Sequence, residues 1–228
     1  MRKLGLIGGT SWYSTVEYYR GINTMYSDQM GKQTNPELIL YSINIEVMRR
    51  QDEEEIRSKY LTVAQKLEQA GADGIVICAN TPHLVFDHVQ PQISIPILHI
   101  AHAIGQAAKE HDMQKLALLG TRPTMRGDFI QGPLNKDFGI ETIIPDEKNA
   151  DKTHEFIADE LTQGIFSDSA KEFFIQETDQ LKNKGAEGII LGCTELPILL
   201  KDEKLSVPAL ATTDLHIKMA VEFLIEKN

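Results

Sequence analysis

The residues of this chain that could do acid–base or anion-binding chemistry follow short apolar runs at four places. These four segments are Gly8–Ser11, Cys78–His83, Gly120–Thr121 and Gly192–Glu195. A thiol, with an ordinary pKa of about 8.5, can act as acid or base when helix N-termini and nearby donors stabilise its thiolate. Hydroxyl and amide side chains at a helix N-terminus, with the backbone N–H groups exposed there, bind carboxylates. The segments therefore predict a site for a small carboxylate with a thiol as acid or base.

Three pairs of similar segments indicate that the chain is an internal duplication. The pairs, each first-half segment before its counterpart, are 3–10 with 115–121, 71–77 with 185–191, and 94–98 with 206–210. They occur in the same order, at offsets of 112 (115 − 3), 114 (185 − 71) and 112 (206 − 94) residues. A common order and a nearly constant offset favour two copies of one supersecondary unit over chance similarity.

Short apolar runs alternate with helical periodicity in each half. Ile56, Tyr60, Val63 and Leu67 recur at helical spacing before the run 75–77, and a parallel sheet with right-handed crossovers follows from such alternation. We predict an α/β fold of two similar Rossmann-like lobes, each a parallel sheet flanked by helices. The lobes would be related by pseudo-twofold symmetry, with the active site between them. Their predicted ranges are 1–104 plus 210–228 for the first lobe and 105–209 for the second.

Composition limits the partners of the chain. Its 228 residues carry a formal net charge of −10, which argues against binding to nucleic acid or an anionic membrane surface. The N-terminal apolar run is too short for an export signal or a membrane span, so we expect a cytoplasmic protein with both cysteines reduced. The histidines show no spacing typical of a metal site, and we expect none.

The strand-end motifs resemble those of the aspartate/glutamate racemase family across nearly the whole chain. Three motifs carry the resemblance: Gly-Gly-Thr-Ser-x-x-Ser-Thr at 8–15, Asn-Thr-x-His at 80–83 and Gly-Cys-Thr-Glu at 192–195. The resemblance implies a cofactor-independent reaction in which one cysteine removes the α-proton of an acidic amino acid. A second thiol on the opposite face returns a proton, and duplicated halves suit that geometry. It also implies a homodimer.

The first half departs from the family pattern at its cysteine. The family has cysteine directly before Asn-Thr, whereas this chain has Ala79 there and Cys78 one residue earlier. The internal repeat likewise sets Ala79 opposite Cys193 and Cys78 opposite Gly192. Because side chains alternate along a strand, this register predicts that Cys78 points away from the site. Cys193 is therefore the predicted acid/base, and Cys78 is a second candidate that only a bulge would bring into place.

The remaining candidates would hold the substrate. Those at strand ends, where they can bind a carboxylate or cap a helix, are Thr10, Asn80, Thr81, Thr121, Thr194 and Glu195. The resemblance implies that Arg49 reaches the side-chain carboxylate of the substrate; the alternative is that Arg49 and Arg50 are a solvated pair before the acidic run 52–55.

The resemblance implies an amino-acid racemase that acts on aspartate, glutamate or both, slowly or with a preference for one enantiomer if Cys78 is absent from the site. Two alternatives stay open. One is another enzyme of the wider superfamily, such as a hydantoin racemase or a decarboxylase with one cysteine. The other is a carboxylate-binding protein that has lost its activity with its second thiol.

Overall fold

The computed structural model describes residues 2–226, which form two compact units. The first unit contains the chain up to His99 and again from His216, and the second contains Ile100–Leu215. No helix within the described range is long and apolar enough to cross a membrane.

The first unit is built on a parallel sheet with the strand order β2–β1–β3. Its strands are β1 (Leu4–Gly8), β2 (Leu38–Ser42) and β3 (Gly74–Ile77). Its helices are α1 (Trp12–Met30), α2 (Glu46–Arg49), α3 (Glu53–Gln69) and α4 (Phe86–Val89), with 3₁₀ turns at Thr81–Val85 and Gln90–Gln92.

The second unit is built on a parallel sheet with the strand order β5–β4–β6–β7. Its strands are β4 (Lys115–Leu119), β5 (Glu141–Ile143), β6 (Gly188–Leu191) and β7 (Ala209–Ala211). Its helices are α5 (Ile100–Glu110), α6 (Arg122–Arg126), α7 (Asp128–Phe138), α8 (Glu147–Glu155), α9 (Asp168–Asn183) and α10 (Leu196–Leu199). The last helix, α11 (Thr212–Ile225), begins here and belongs to the first unit from His216 onward. The predicted α/β class, with two parallel sheets flanked by helices, is confirmed.

Helix α3 shows how the sequence forms these elements. Asp52 caps it by accepting the backbone N–H groups of the first turn, and this satisfies donors that have no partner inside the helix. Ile56, Tyr60, Val63 and Leu67, the residues at helical spacing, are all buried against the sheet. The helix therefore owes its position to one apolar stripe.

The two sheets pair their corresponding strands in the same way. β1 pairs with β3 from Leu4 opposite Gly74, and β4 pairs with β6 from Leu116 opposite Gly188. Gly185, which ends the helix before β6, has φ of 96°, a left-handed conformation that glycine adopts without a steric penalty. Gly71 holds the matching place before β3 with φ of 85°.

Candidate active site

Cys193 lies just beyond the carboxyl end of β6. The Gly192 N–H still bonds to Leu119 O, at 2.7 Å, so the sheet ladder reaches the residue before the cysteine. The chain then turns into α10, and Cys193, Thr194 and Glu195 are half-buried at this turn. The strand thus delivers its only thiol at the edge where parallel sheets bind ligands.

One oxygen of Glu195 accepts two hydrogen bonds from its neighbours. Cys193 Sγ donates to Glu195 Oε2 at 2.7 Å, and Thr194 Oγ1 donates to the same oxygen at 2.8 Å. The three sequence-predicted residues of this strand end are therefore joined. The carboxylate stands where it can take the proton of the thiol.

The pKa of the Cys193 thiol is raised well above its usual range. Burial is the largest cause, and the charge of Glu195 with its hydrogen bond from the thiol adds to it. The N–H groups of Glu195 and Leu196 act in the opposite direction but are outweighed. The backbone N–H groups at this helix N-terminus do favour the thiolate, but their effect on the pKa is smaller than that of burial and the carboxylate. Helix α10 has four residues, and its dipole is correspondingly small.

Cys78 lies in the interior of the first unit, with 1% of its surface exposed. Val76 and Cys78 pack in one core cluster with Leu4, Leu6 and Tyr18, while residues 75 and 77 pack in the cluster on α3. The Cys78 N–H bonds to the backbone oxygen of residue 7 at 2.9 Å, so the strand register continues through it. Burial also raises the pKa of this thiol. The structure thus places Cys78 among apolar side chains, on the face given by strand alternation.

Exposure follows the same register in both units. Ala79 and Cys193, which the repeat aligns, are both half-buried, whereas Cys78 and Gly192 are both buried. The position in the first unit that matches the half-buried Cys193 thiol is therefore occupied by the methyl group of Ala79.

Thr10, at the end of β1, is hydrogen-bonded to Tyr60, a residue that the sequence marks only as part of the apolar stripe of a helix. Thr10 Oγ1 and Tyr60 Oη share a hydrogen bond of 2.7 Å. Burial raises the pKa of Tyr60, so the phenol stays protonated. A buried tyrosine hydroxyl needs a hydrogen-bond partner, so a tyrosine on the apolar stripe of α3 already indicates that a polar group lies close to it.

Asn80 and Thr81 begin the 3₁₀ turn after β3. Asn80 is buried and Thr81 is half-buried. The backbone oxygen of Asn80 accepts both the N–H and the ring Nδ1–H of His83, at 3.1 and 3.0 Å. The turn is therefore fixed at its first residue by a buried imidazole.

The other two candidates lie on exposed or partly exposed segments. Thr121 precedes α6 at its N-cap position without a side-chain cap bond, and its Oγ1 lies 3.1 Å from Thr124 Oγ1. Arg49 forms an ion pair of 3.1 Å with Glu46, and about two thirds of its side chain (65%) is exposed. The structure thus gives Arg49 an ion-pair partner at the surface, Glu46.

Metal-binding groups are not gathered anywhere in the described residues. Among residues 2–226, no three histidine, cysteine or carboxylate side chains stand where they could hold a metal ion together.

A protein-family model described as Asp/Glu/Hydantoin racemase matches residues 7–220 of the chain. The broad specificity amino-acid racemase RacX of Bacillus subtilis (strain 168) is 35% identical over 97 residues, which cover 42% of this chain and 41% of RacX. A glutamate racemase of Histophilus somni (strain 2336) is 26% identical over 77% of this chain and 66% of its own length. The chain thus aligns with less than two thirds of either relative.

Solved structures resemble the chain over nearly its whole length. The crystal structure of a candidate Asp/Glu racemase from Yersinia pestis matches with a TM-score of 0.94 and 36% identity, over 99% of this chain and all of that one. An aspartate racemase homologue from Pyrococcus horikoshii OT3 matches with a TM-score of 0.88 and 34% identity, over the same shares. Fold and sequence therefore agree over both units.

Proposed function

The chain belongs to the Asp/Glu/hydantoin racemase family, and on that premise we propose that it racemises acidic amino acids by cofactor-independent cysteine chemistry. The substrate would be aspartate or glutamate, as for the relatives named for those amino acids. The observation that carries the proposal is the hydrogen bond of 2.7 Å from Cys193 Sγ to Glu195 Oε2 at the end of β6.

The thiol and the carboxylate would work as one acid–base pair. In the first step the thiol proton passes to Glu195. The thiolate then removes the α-proton, so that the C–H bond breaks, the S–H bond forms and the electron pair moves into the substrate carboxylate. The hydroxyl of Thr194, 2.8 Å from Glu195 Oε2, is placed to stabilise the ionised groups of this pair. A raised thiol pKa keeps the proton on sulfur until substrate arrives, and this yields a strong base once it is removed.

The opposite face of the substrate would be protonated without Cys78. Cys78 is 1% exposed within the core of its unit, and Ala79 supplies no acid. Water is the proposed donor: it protonates the carbanion, and the hydroxide that is left takes the proton from Glu195 and restores the starting state. Because water is less well oriented than a fixed thiol, inversion would be slower than α-proton exchange at the Cys193 face.

Carboxylate binding would fall to hydroxyl and amide groups at the other strand ends. The α-carboxylate is assigned to Asn80 and Thr81, with Thr10 and Thr121 as further donors. Arg49 is the proposed partner of the side-chain carboxylate. Its exposed ion pair with Glu46 is of a kind worth about 1 kcal/mol or less, so a substrate could displace it.

Deuterium exchange tests this proposal directly. Each enantiomer of aspartate and glutamate is incubated with the protein in D₂O, and loss of the Cα–H signal is followed by NMR. We expect exchange by the unchanged protein, none above background in Cys193→Ser, and near-normal exchange in Cys78→Ser. Circular dichroism of the same samples then measures inversion. Equal loss in both variants would refute the assignment of the acid–base role to Cys193 alone.

A decarboxylase is the second candidate, because only one of the two cysteines lies at a strand end. A decarboxylase needs to protonate one face of its carbanion, and Cys193 could do so. Release of CO₂ from a disubstituted malonate, without α-proton exchange on amino acids, would favour this reading. Binding of a dicarboxylate with neither reaction would leave a carboxylate-binding protein.

A homodimer is proposed on the exposed apolar side chains of α1. Trp12 and Tyr13 are each 60% exposed with their rings 3.7 Å apart, and Val16 and Tyr19 are each 51% exposed. An apolar group of this kind on a monomer is a common protein contact surface. Sedimentation equilibrium should give twice the chain mass, with Val16→Glu shifting the balance to monomer. A monomer at all concentrations would refute the proposal.

A further inference from the structure

Three histidines are buried together in the first unit. His83, His99 and His216 are exposed by 1%, 2% and 0%. The His83 ring lies 4.8 Å from the His99 ring and 5.4 Å from the His216 ring, centroid to centroid, in edge-on arrangements. His83 belongs to the 3₁₀ turn after β3, and His216 belongs to α11. His99 is the last residue of the first stretch of chain in this unit. Imidazoles are seldom buried so completely, and this group, which we call the histidine assembly, has no place in the proton transfers above.

Hydrogen bonds fix which nitrogen of two of these rings carries the proton. A carbonyl oxygen can only accept, so His83 Nδ1, 3.0 Å from Asn80 O, must be protonated. By the same reasoning His216 Nε2, 2.7 Å from Leu98 O, must be protonated. His216 Nδ1 then accepts from Tyr18 Oη, at 2.9 Å. The two rings thus carry a proton on different nitrogens, His83 on Nδ1 and His216 on Nε2.

Burial supports the neutral form of His216. It lowers the pKa of His216 to about 3, and the nearby His83 ring acts in the same direction. A neutral His216 ring can pack edge-on against the His83 ring without the repulsion that two imidazolium ions would suffer.

The assembly joins one proposed substrate-binding turn to the core. Asn80 O accepts both the backbone N–H and the ring Nδ1–H of His83, so the start of the turn is held from two directions. The His83 ring in turn packs on His99 and His216, and His216 is tied to Tyr18 of α1. A shift of the turn would therefore have to break a buried chain of contacts.

We propose that His83, His99 and His216 are positioning residues that hold Asn80 and Thr81 in the orientation that binds the α-carboxylate of the substrate. This inference rests on the proposed function, which assigns that carboxylate to the turn. The residues touch the turn and one another and take no part in the proton transfers.

Paired substitutions separate this role from general stability. His83→Asn keeps an N–H near the place of Nδ1, whereas His83→Gln moves it toward the place of Nε2. Loss of one buried hydrogen bond at a binding turn should raise KM for α-proton exchange by roughly tenfold in His83→Gln, with kcat within about twofold. His83→Asn should keep KM near that of the unchanged protein. For His216 we expect the opposite: His216→Gln should keep KM near that of the unchanged protein and His216→Asn should raise it, because Gln preserves the N–H that donates to Leu98 O. His88→Asn, on the exposed part of the same segment, is the control.

Imidazole tautomers give a second readout that does not depend on activity. Long-range ¹H–¹⁵N correlation spectra of the full chain should show His83 protonated at Nδ1 and His216 at Nε2. Equal KM values for His83→Asn and His83→Gln in a folded, active protein would overturn the inference alone, as would a proton on Nε2 of His83. An unchanged protein that exchanges no α-proton would overturn the proposed function, and the substrate role of the assembly with it.

Discussion

Acidification should destabilise this protein by a measurable amount through His216, a histidine that it buries uncharged. His216 is fully buried, and its pKa is lowered to about 3, against about 6.5 in an unfolded chain. At pH values between these two pKa values, His216 is protonated in the unfolded state and neutral in the native state. The free energy of unfolding therefore falls as the pH falls. Each pH unit well inside this window costs about 1.4 kcal/mol. From pH 7.5 to pH 5 the loss from this group is about 2 kcal/mol, and it continues until the pH nears the folded pKa.

Urea unfolding of the full chain between pH 5 and 7.5, followed by far-ultraviolet circular dichroism, measures this slope. His216→Gln keeps a donor for Leu98 O but has no group that titrates here. We expect the variant to be less stable at pH 7.5 and to lose about 2 kcal/mol less than the unchanged protein on going to pH 5. His111→Gln, which removes an exposed imidazole, is the matched control, and it should not reproduce the change expected for His216→Gln.

The test compares the pH dependence of the free energy of unfolding in the two proteins. Stability that the substitution removes equally at every pH does not change this dependence. If the unchanged protein and His216→Gln lost stability in parallel between pH 7.5 and 5, the ring would be charged in the native state or accessible to water. Either result would refute the assignment of His216 as a buried, neutral ring.

Three other changes have expected outcomes that follow from single contacts. Tyr60→Phe removes the hydroxyl that holds a strand-end threonine and should lower kcat/KM by about fivefold, the effect of a hydrogen bond worth about 1 kcal/mol; unchanged kinetics would contradict the role given to it. Gly9→Ala should lower the free energy of unfolding in urea by about 2 kcal/mol or more, because φ is +94° and a Cβ would lie 2.0 Å from a carbonyl oxygen. Gly139→Ala, also at positive φ but with open space around the Cβ, should cost less, and equal costs would refute the steric argument. Ala79→Cys adds a thiol at the position that matches Cys193. The inversion rate, measured by circular dichroism, should then come closer to the α-proton exchange rate. An unchanged inversion rate in a folded variant would contradict the alignment of Ala79 with Cys193.

The sheets could be predicted from sequence because their determinants are local. Apolar runs of four or five residues, helices with one apolar stripe, and glycines such as Gly71 and Gly185 at positive φ each act over a few residues. The internal repeat shows each of these patterns twice, once in each half of the chain. What the sequence could not show was the partner of each polar side chain. Tyr18 meets His216 across 198 residues of chain, and no periodicity encodes such a contact.

The protonation state of the site was beyond the sequence for a related reason. A thiol before a helix N-terminus suggests a stabilised thiolate, and the N–H groups of Glu195 and Leu196 do favour it. Burial and the neighbouring carboxylate outweigh them, and both depend on how tightly the strand end is packed. Only the three-dimensional arrangement gives the sign of the shift.

The position of the two thiols shows how a duplicated scaffold can keep its fold and change its chemistry. Side chains alternate along β3 and β6, so residues 75 and 77 match 189 and 191 in packing against α3 or α9, whereas residues 76 and 190 pack in the clusters on the other face of each sheet. A cysteine at 78 fills the second layer beside Val76 and cannot be brought to the strand end without shifting the whole ladder. Both sheets are therefore intact, while one carries its thiol at the edge and the other carries it in the core. An activity that needs acids on two faces must, in such a chain, take one of them from outside the cysteines.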